Sequence, residues 1–170
     1  MDKEPAAILV DIVRTYMSLQ NNQVWQYNQE INIADSQSLY VVVHYLTSIP
    51  LSSVSNFEVV TVDDEEIGRE IISSMSKEIY SIEIASFDRS AILRKDEIIQ
   101  ALKAGYSQNQ QAQYGFRIFP LPVTFNNVSR QVGGAMLNRF MIDIALMVTR
   151  SSTRDLDYYT NFPFQLISNS

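Results

Sequence analysis

Apolar side chains recur at i, i+3 and i+4 spacing near the start of the chain. Ile8, Leu9, Ile12, Val13, Tyr16 and Met17 form one stripe of a helix. Pro5 sits where a first turn tolerates it, and Asp2 and Glu4 lie near the positive end of the dipole. The amide run "QNNQ" ends this element, and residues 23–33, "QVWQYNQEINI", read as extended. Leu39 to Pro50, "LYVVVHYLTSIP", is rich in β-branched and aromatic residues and apolar on both faces. That pattern predicts a central strand, closed by Pro50. "NFEVVTV" (56–62) predicts a further strand, and "DDEEIGREIISSMSK" (63–77) a charged connection whose tail is strand or short helix. "EIYSIEIASF" (78–87) alternates Ile79, Ser81, Glu83, Ala85 with Tyr80, Ile82, Ile84, Ser86, as a half-buried strand does. "DRSAILRKDEIIQALKA" (88–104) predicts a second helix. Asp88 or Ser90 caps it, Ile92, Ile98, Ile99 and Leu102 share a side, and Gly105 is placed like a C′ residue.

Residues 106–137 break the periodicity. They are amide-rich first, then apolar with two prolines, then glycine-paired, and they predict one long irregular connection. Gly133-Gly134 is a turn signal before the longest strand. In that strand Phe140, Ile142, Ile144, Leu146 and Val148 make a plain core face. Met141, Asp143, Ala145, Met147 and Thr149 point the other way, and that face is neither properly polar nor properly apolar. The order of elements predicts an α+β domain over residues 1–170: a mainly antiparallel sheet with two principal helices on one face, plus long projecting loops. Residues 158–170 form a tail segment.

Composition narrows the function. At 170 residues and 46% hydrophobic, the chain can bury a sizeable core without staples. It has no cysteine, so disulfides, thiolate metal sites and cysteine catalysis are excluded. The apolar part of the N-terminus is broken by Asp11 and Arg14, unlike a secretory signal, and no apolar run approaches a membrane span. A cytosolic origin is expected, which makes the sequon at Asn127 a chance match. A net charge of −6 with no basic run gives no counterion-release grip on nucleic acid.

The chemical candidates are few. Asp63, Asp64, Glu65 and Glu66 are the obvious metal or acid–base cluster. Four carboxylates in one run cannot all face one ion, and a solvated turn explains them better. His44 lies within an apolar strand and reads as a satisfied, partly buried histidine. There is no nucleophile elbow, phosphate loop or dinucleotide fingerprint. Tyr158, Tyr159, Phe162 and Phe164 make an aromatic tail with little basic charge around it, closer to a protein interface than to a base-stacking platform. No catalytic, cofactor-binding or metal-binding residue is expected. The two-sided strand, the long connection and the aromatic tail all suit a domain buried by copies of itself or by neighbours.

The leading helix, "LYVVVHYL", "EIYSIEIASFDRSAILRKDEIIQAL", "FRIFPLPVTFNNVS" and "NRFMIDIALMV", in that order, resemble the neck- and tail-terminator proteins of tailed bacteriophages. The resemblance rests on element order and side-chain type over residues 7–166. It implies a six-fold ring at the junction of head connector and tail, in a virion assembled in the host cytoplasm, with DNA passing through without specific binding. Its partners would be copies of itself, the connector or adaptor, and tail-tube or nozzle proteins, with no membrane. Met141, Asp143, Ala145, Met147, Tyr158, Tyr159, Phe162 and Phe164 would then serve the interfaces, Asp143 finding a donor there. Asp63, Asp64, Glu65 and Glu66 would face the channel or a loop. The alternatives are another head–tail adaptor or tube protein, a non-viral interaction module, and last a hydrolase using the acidic cluster.

Overall fold

Three strands of unusual length organise the molecule in a computed structural model that describes residues 4–27, 39–62, 65–120 and 124–156. They are β2 (Tyr40–Val62), β3 (Glu65–Ser86) and β7 (Ala135–Leu156). At about 3.3 Å per residue, the 23 residues of β2 span roughly 75 Å. β1 (Val24–Gln26) adds in parallel beside β2, and β4 (Phe116–Ile118) flanks β7 in antiparallel. The sheet order is β1-β2-β3-β7-β4. Two short strands, β5 (Asn126–Asn127) and β6 (Arg130–Val132), also pair with β7. Apart from β1 every pairing is antiparallel, so this is an α+β fold with a mixed, mainly antiparallel sheet.

Helices α1 (Pro5–Met17) and α2 (Ser90–Lys103) pack on one face of the sheet. The stripe of α1 is buried as expected at Ile8, Leu9, Ile12, Val13 and Met17. Tyr16 is the exception; it is exposed, and its hydroxyl lies 3.3 Å from Gln100 Oε1. From α2, Ala91, Ile98, Ala101 and Leu102 join the core, while Ile92 stays exposed. Against them lie Val41 and Val43 of β2, Tyr80, Ile82 and Ile84 of β3, and the inward set Phe140 to Val148 of β7.

Asp88 caps α2 from outside, its Oδ1 accepting from the Ser90 N–H at 2.8 Å. Ser86, which sequence reasoning did not single out, accepts from the buried Ala91 N–H at 2.9 Å. Ser86→Ala would orphan that N–H, and a loss of about 1–2 kcal/mol is expected in urea unfolding.

Several expectations need correcting. Pro50 does not close a strand; β2 runs through it to Val62 with register shifts between Tyr45 and Thr47 and between Pro50 and Ser52. Pro50 is tolerated because β2 is an edge strand there and its missing N–H leaves no ladder bond broken. The charged connection is strand from Glu65 onward. Residues 80–86 are buried on both faces, not half-buried.

The stretch 106–137 is not one irregular connection. Gly105 opens helix α3 (Gly105–Gln113), and β4, β5 and β6 follow. α3 has no apolar stripe for periodicity to detect. Amide bonds tie it down instead: Gln111 Nε2 donates to Ser107 Oγ at 3.1 Å, and Gln111 Oε1 accepts from Ile118 N–H at 3.1 Å. Gly133-Gly134 does form the expected turn, Gly133 having φ +58°, and the turn closes a hairpin between β6 and β7. What projects from the body is therefore not a loop. It is an arm of three strands.

Candidate functional site

The arm begins where helix cover ends. Burial alternates along β7 up to Val148, and residues 149–155 are all exposed. β2 is exposed from Tyr45 to Val59. Two faces result from the register. The face carrying Ile82, Ile142 and Val41 meets the helices. The opposite face carries, row by row across β2, β3 and β7, His44–Ser81–Asp143, Ile49–Lys77–Met147, Ser52–Met75–Thr149, Val54–Ser73–Ser151 and Asn56–Ile71–Thr153. It ends in Glu58–Arg69–Asp155, where Arg69 Nε meets Asp155 Oδ1 at 2.7 Å.

The second face of the long strand is thus one part of a continuous surface running out along the arm. Met141, Ala145 and Met147 are half-buried, and Asp143 is exposed. The helices pack on the other face, so they do not cover these four residues. The donor expected for Asp143 does not lie among the described residues of this single chain. Leu46, Ile49, Leu51, Val54, Phe57 and Val59 are all exposed along β2, Phe57 by 69%; by register Ile49 and Val54 lie on this face and Phe57 and Val59 on the other. Glu65 and Glu66 stand at the far end of the arm, paired in backbone with Val62 and Thr61. Asp63, Asp64 and the aromatic tail with Tyr158, Tyr159, Phe162 and Phe164 lie outside the described residues, as does the extended reading of 28–33.

At the body end of this face sits a charge cluster that sequence reasoning missed. Glu83 is 5% exposed in its side chain. Arg139 grips it with two prongs, Nε on Oε1 at 2.5 Å and Nη2 on Oε2 at 2.6 Å, and His44 Nε2 lies 3.1 Å from Oε2. Each partner sits diagonally across a strand pair, His44 from β2 and Arg139 from β7. Burial pushes the Glu83 carboxyl up. The hydrogen bonds from His44 and Arg139 and the guanidinium charge outweigh it, and the net position is below the ordinary value. His44 is therefore satisfied and partly buried, as expected. The Tyr27 ring packs against the His44 ring, tilted by 39° with centroids 4.8 Å apart.

A second buried carboxylate marks the root of the arm on the helix face. Glu78 accepts from Tyr80 Oη at 2.7 Å and meets Arg150 Nη2 at 2.5 Å. Burial, then the hydrogen bond to Glu78, raises the Tyr80 hydroxyl's affinity for its proton. It lines a cleft of about 340 Å³ together with Tyr45, Val43 and the start of α1. Both carboxylates have their oxygens occupied by structural partners, so neither is presented to a substrate.

Ser81, between His44 and Asp143 in the register, is fully buried, and its hydroxyl has no partner among the described residues. Ser81→Ala removes that polar atom without opening a large cavity. A gain of up to about 1–2 kcal/mol in urea unfolding is expected. A loss would show that the hydroxyl is satisfied in solution.

The face as a whole offers a mixed surface to a protein partner: Ile49, Met147, Met75, Val54 and Ile71 stand among serines and threonines, with an ion pair at each end. No protein-family model matches the chain, and no curated protein matches it.

Proposed function

We propose that this chain is a structural protein of a tailed bacteriophage, performing no reaction. Six copies close into a ring at the head–tail junction that ends the neck or tail tube and joins connector to tail. Viral DNA passes through the ring. One observation carries the reading: the three-stranded arm leaves its helices behind with apolar side chains exposed on it. A three-stranded sheet without a covered face is marginal in water, and exposed apolar surface on this scale marks a contact with another protein.

Magnitudes sharpen this. Burying the exposed half of an aliphatic side chain contributes roughly 1 kcal/mol. The six exposed apolar residues of β2 thus offer on the order of 6 kcal/mol. Association itself costs about 4–15 kcal/mol. Apolar contact alone falls short of a firm ring, so further bonds must form between copies. The net charge of −6 suits passage of DNA, since like charge gives no counterion-release gain.

The test is imaging of tailed particles carrying this chain with an added tag. Tag density in one ring at the head–tail joint is the expected result. Density elsewhere in the particle, or none in it, would contradict the proposal.

A further inference from the structure

We infer that neighbouring copies join edge to edge through their arms, the outer edge of β2 in one pairing in parallel with the outer edge of β7 in the next; this rests on the ring reading above and specifies its joint. Among the described residues, β1 and Tyr27 cover β2 only at Val41–Val43, and β4 to β6 with Gly115 cover β7 only as far as Thr149. Beyond those points both outer edges present N–H and C=O groups left open by the described residues, a template for another strand.

Solitary proteins guard such edges with charge, lysine, proline, bulges or brevity. From Leu46 to Val62, β2 carries one charge, Glu58, and no lysine. The register shifts about Leu46 and Pro50 interrupt the edge near the body, and from Ser52 to Val62 the only charge guarding it is Glu58. The free stretch of β7 carries Arg150 and Arg154 against Asp155, a net positive charge facing the single negative one of β2. Beside the β7 edge runs a groove of about 860 Å³, lined by Met75, Met147 and Thr149 of the sheet and by Gln108 and Gln111 of α3. An incoming strand would lie there at about 4.8 Å from β7.

The geometry selects a second copy as the occupant. β2 and β7 are each antiparallel to β3, so they run in the same direction on opposite sides of one unit. Rotation about an axis lying along the arms carries β2 of one copy beside β7 of another. Repeated, it closes with every edge paired. A two-fold contact of β2 on β2 would leave each β7 edge open.

Disulfide trapping tests this cleanly, because the chain has no cysteine of its own. Within one copy β2 and β7 are two strand spacings apart, about 9.6 Å, beyond the roughly 7 Å that a disulfide bridges. Ser52→Cys or Val54→Cys would be combined in turn with Thr149→Cys, Ser151→Cys or Thr153→Cys, all on one face, in the full-length chain under mild oxidation. At least one pair is expected to give a ladder of covalent multimers ending at six, with no ladder from the single variants. Rings seen by native mass but no ladder from any pair would overturn the edge joint and leave the ring reading intact. Covalent dimers from Ser52→Cys or Val54→Cys alone would replace it with a two-fold contact. Neither rings nor ladder would overturn both.

Discussion

Arg139→Ala is expected to cost about 3–5 kcal/mol of folding free energy, the loss usual when one partner of a buried ion pair is removed. The carboxylate of Glu83 stays behind, 5% exposed, with His44 as its only remaining partner in the cluster. Chemical unfolding of the wild type and the variant measures the difference. The double variant Glu83→Leu with Arg139→Met should recover most of it, because the cost lies in the stranded charge and not in the lost pair. A single variant within 1 kcal/mol of wild type would mean that water already reaches Glu83.

The same cluster gives a pH dependence whose sign follows from its geometry. The folded Glu83 carboxyl sits below its ordinary value of 4.5. The unfolded chain therefore binds more protons in that range, and stability falls as pH drops. The contribution is whole above 4.5 and is lost as pH falls through the depressed folded value. Glu83→Gln should remove that part of the acid slope and leave the slope at neutral pH unchanged. An unaltered acid slope would place the titrating group elsewhere.

Ile49→Lys combined with Val54→Lys should abolish assembly while sparing the monomer. Both side chains are exposed on the arm of a single copy, so the fold loses little; surface changes of this kind usually stay within about 0.5 kcal/mol. In a joined arm the two ammonium groups would be desolvated without partners, at several kcal/mol. Each 1.4 kcal/mol is about tenfold in affinity, so association should weaken by at least about 100-fold. Native mass across a concentration series, beside a thermal melt, separates the two effects. Retained assembly at wild-type concentration would exclude this face from the joint.

The parts of the fold legible in the sequence are those where one face is buried and the other is not. The stripe of α1 and the inward set of β7 stand out because water on one side enforces a period. On the arm no helix covers either face, so β3 between Glu65 and Lys77 carries no alternation, and its charge resembles a connection. Pro50 misleads for a related reason, since a strand signal does not say whether the strand is central or at an edge. α3 holds itself by Gln111 and Ser107 instead of an apolar stripe.

Glu83, Arg139 and His44 each carry a weak signal, a charged or titratable residue inside an apolar strand. Their meeting depends on the register of three strands, which single-strand periodicity does not contain. The unusual second face of β7, by contrast, is visible from Met141, Asp143, Ala145 and Met147. Its continuation along β2 and β3 is not, because those segments read as separate pieces.

Native mass spectrometry of the intact, purified chain, from micromolar concentration upward, asks most directly whether the bare arm is a surface made for siblings. A population that converges on six copies of 19.4 kDa and goes no further is the expected result. A chain that stays single at every concentration, or grows without a limit, would contradict it.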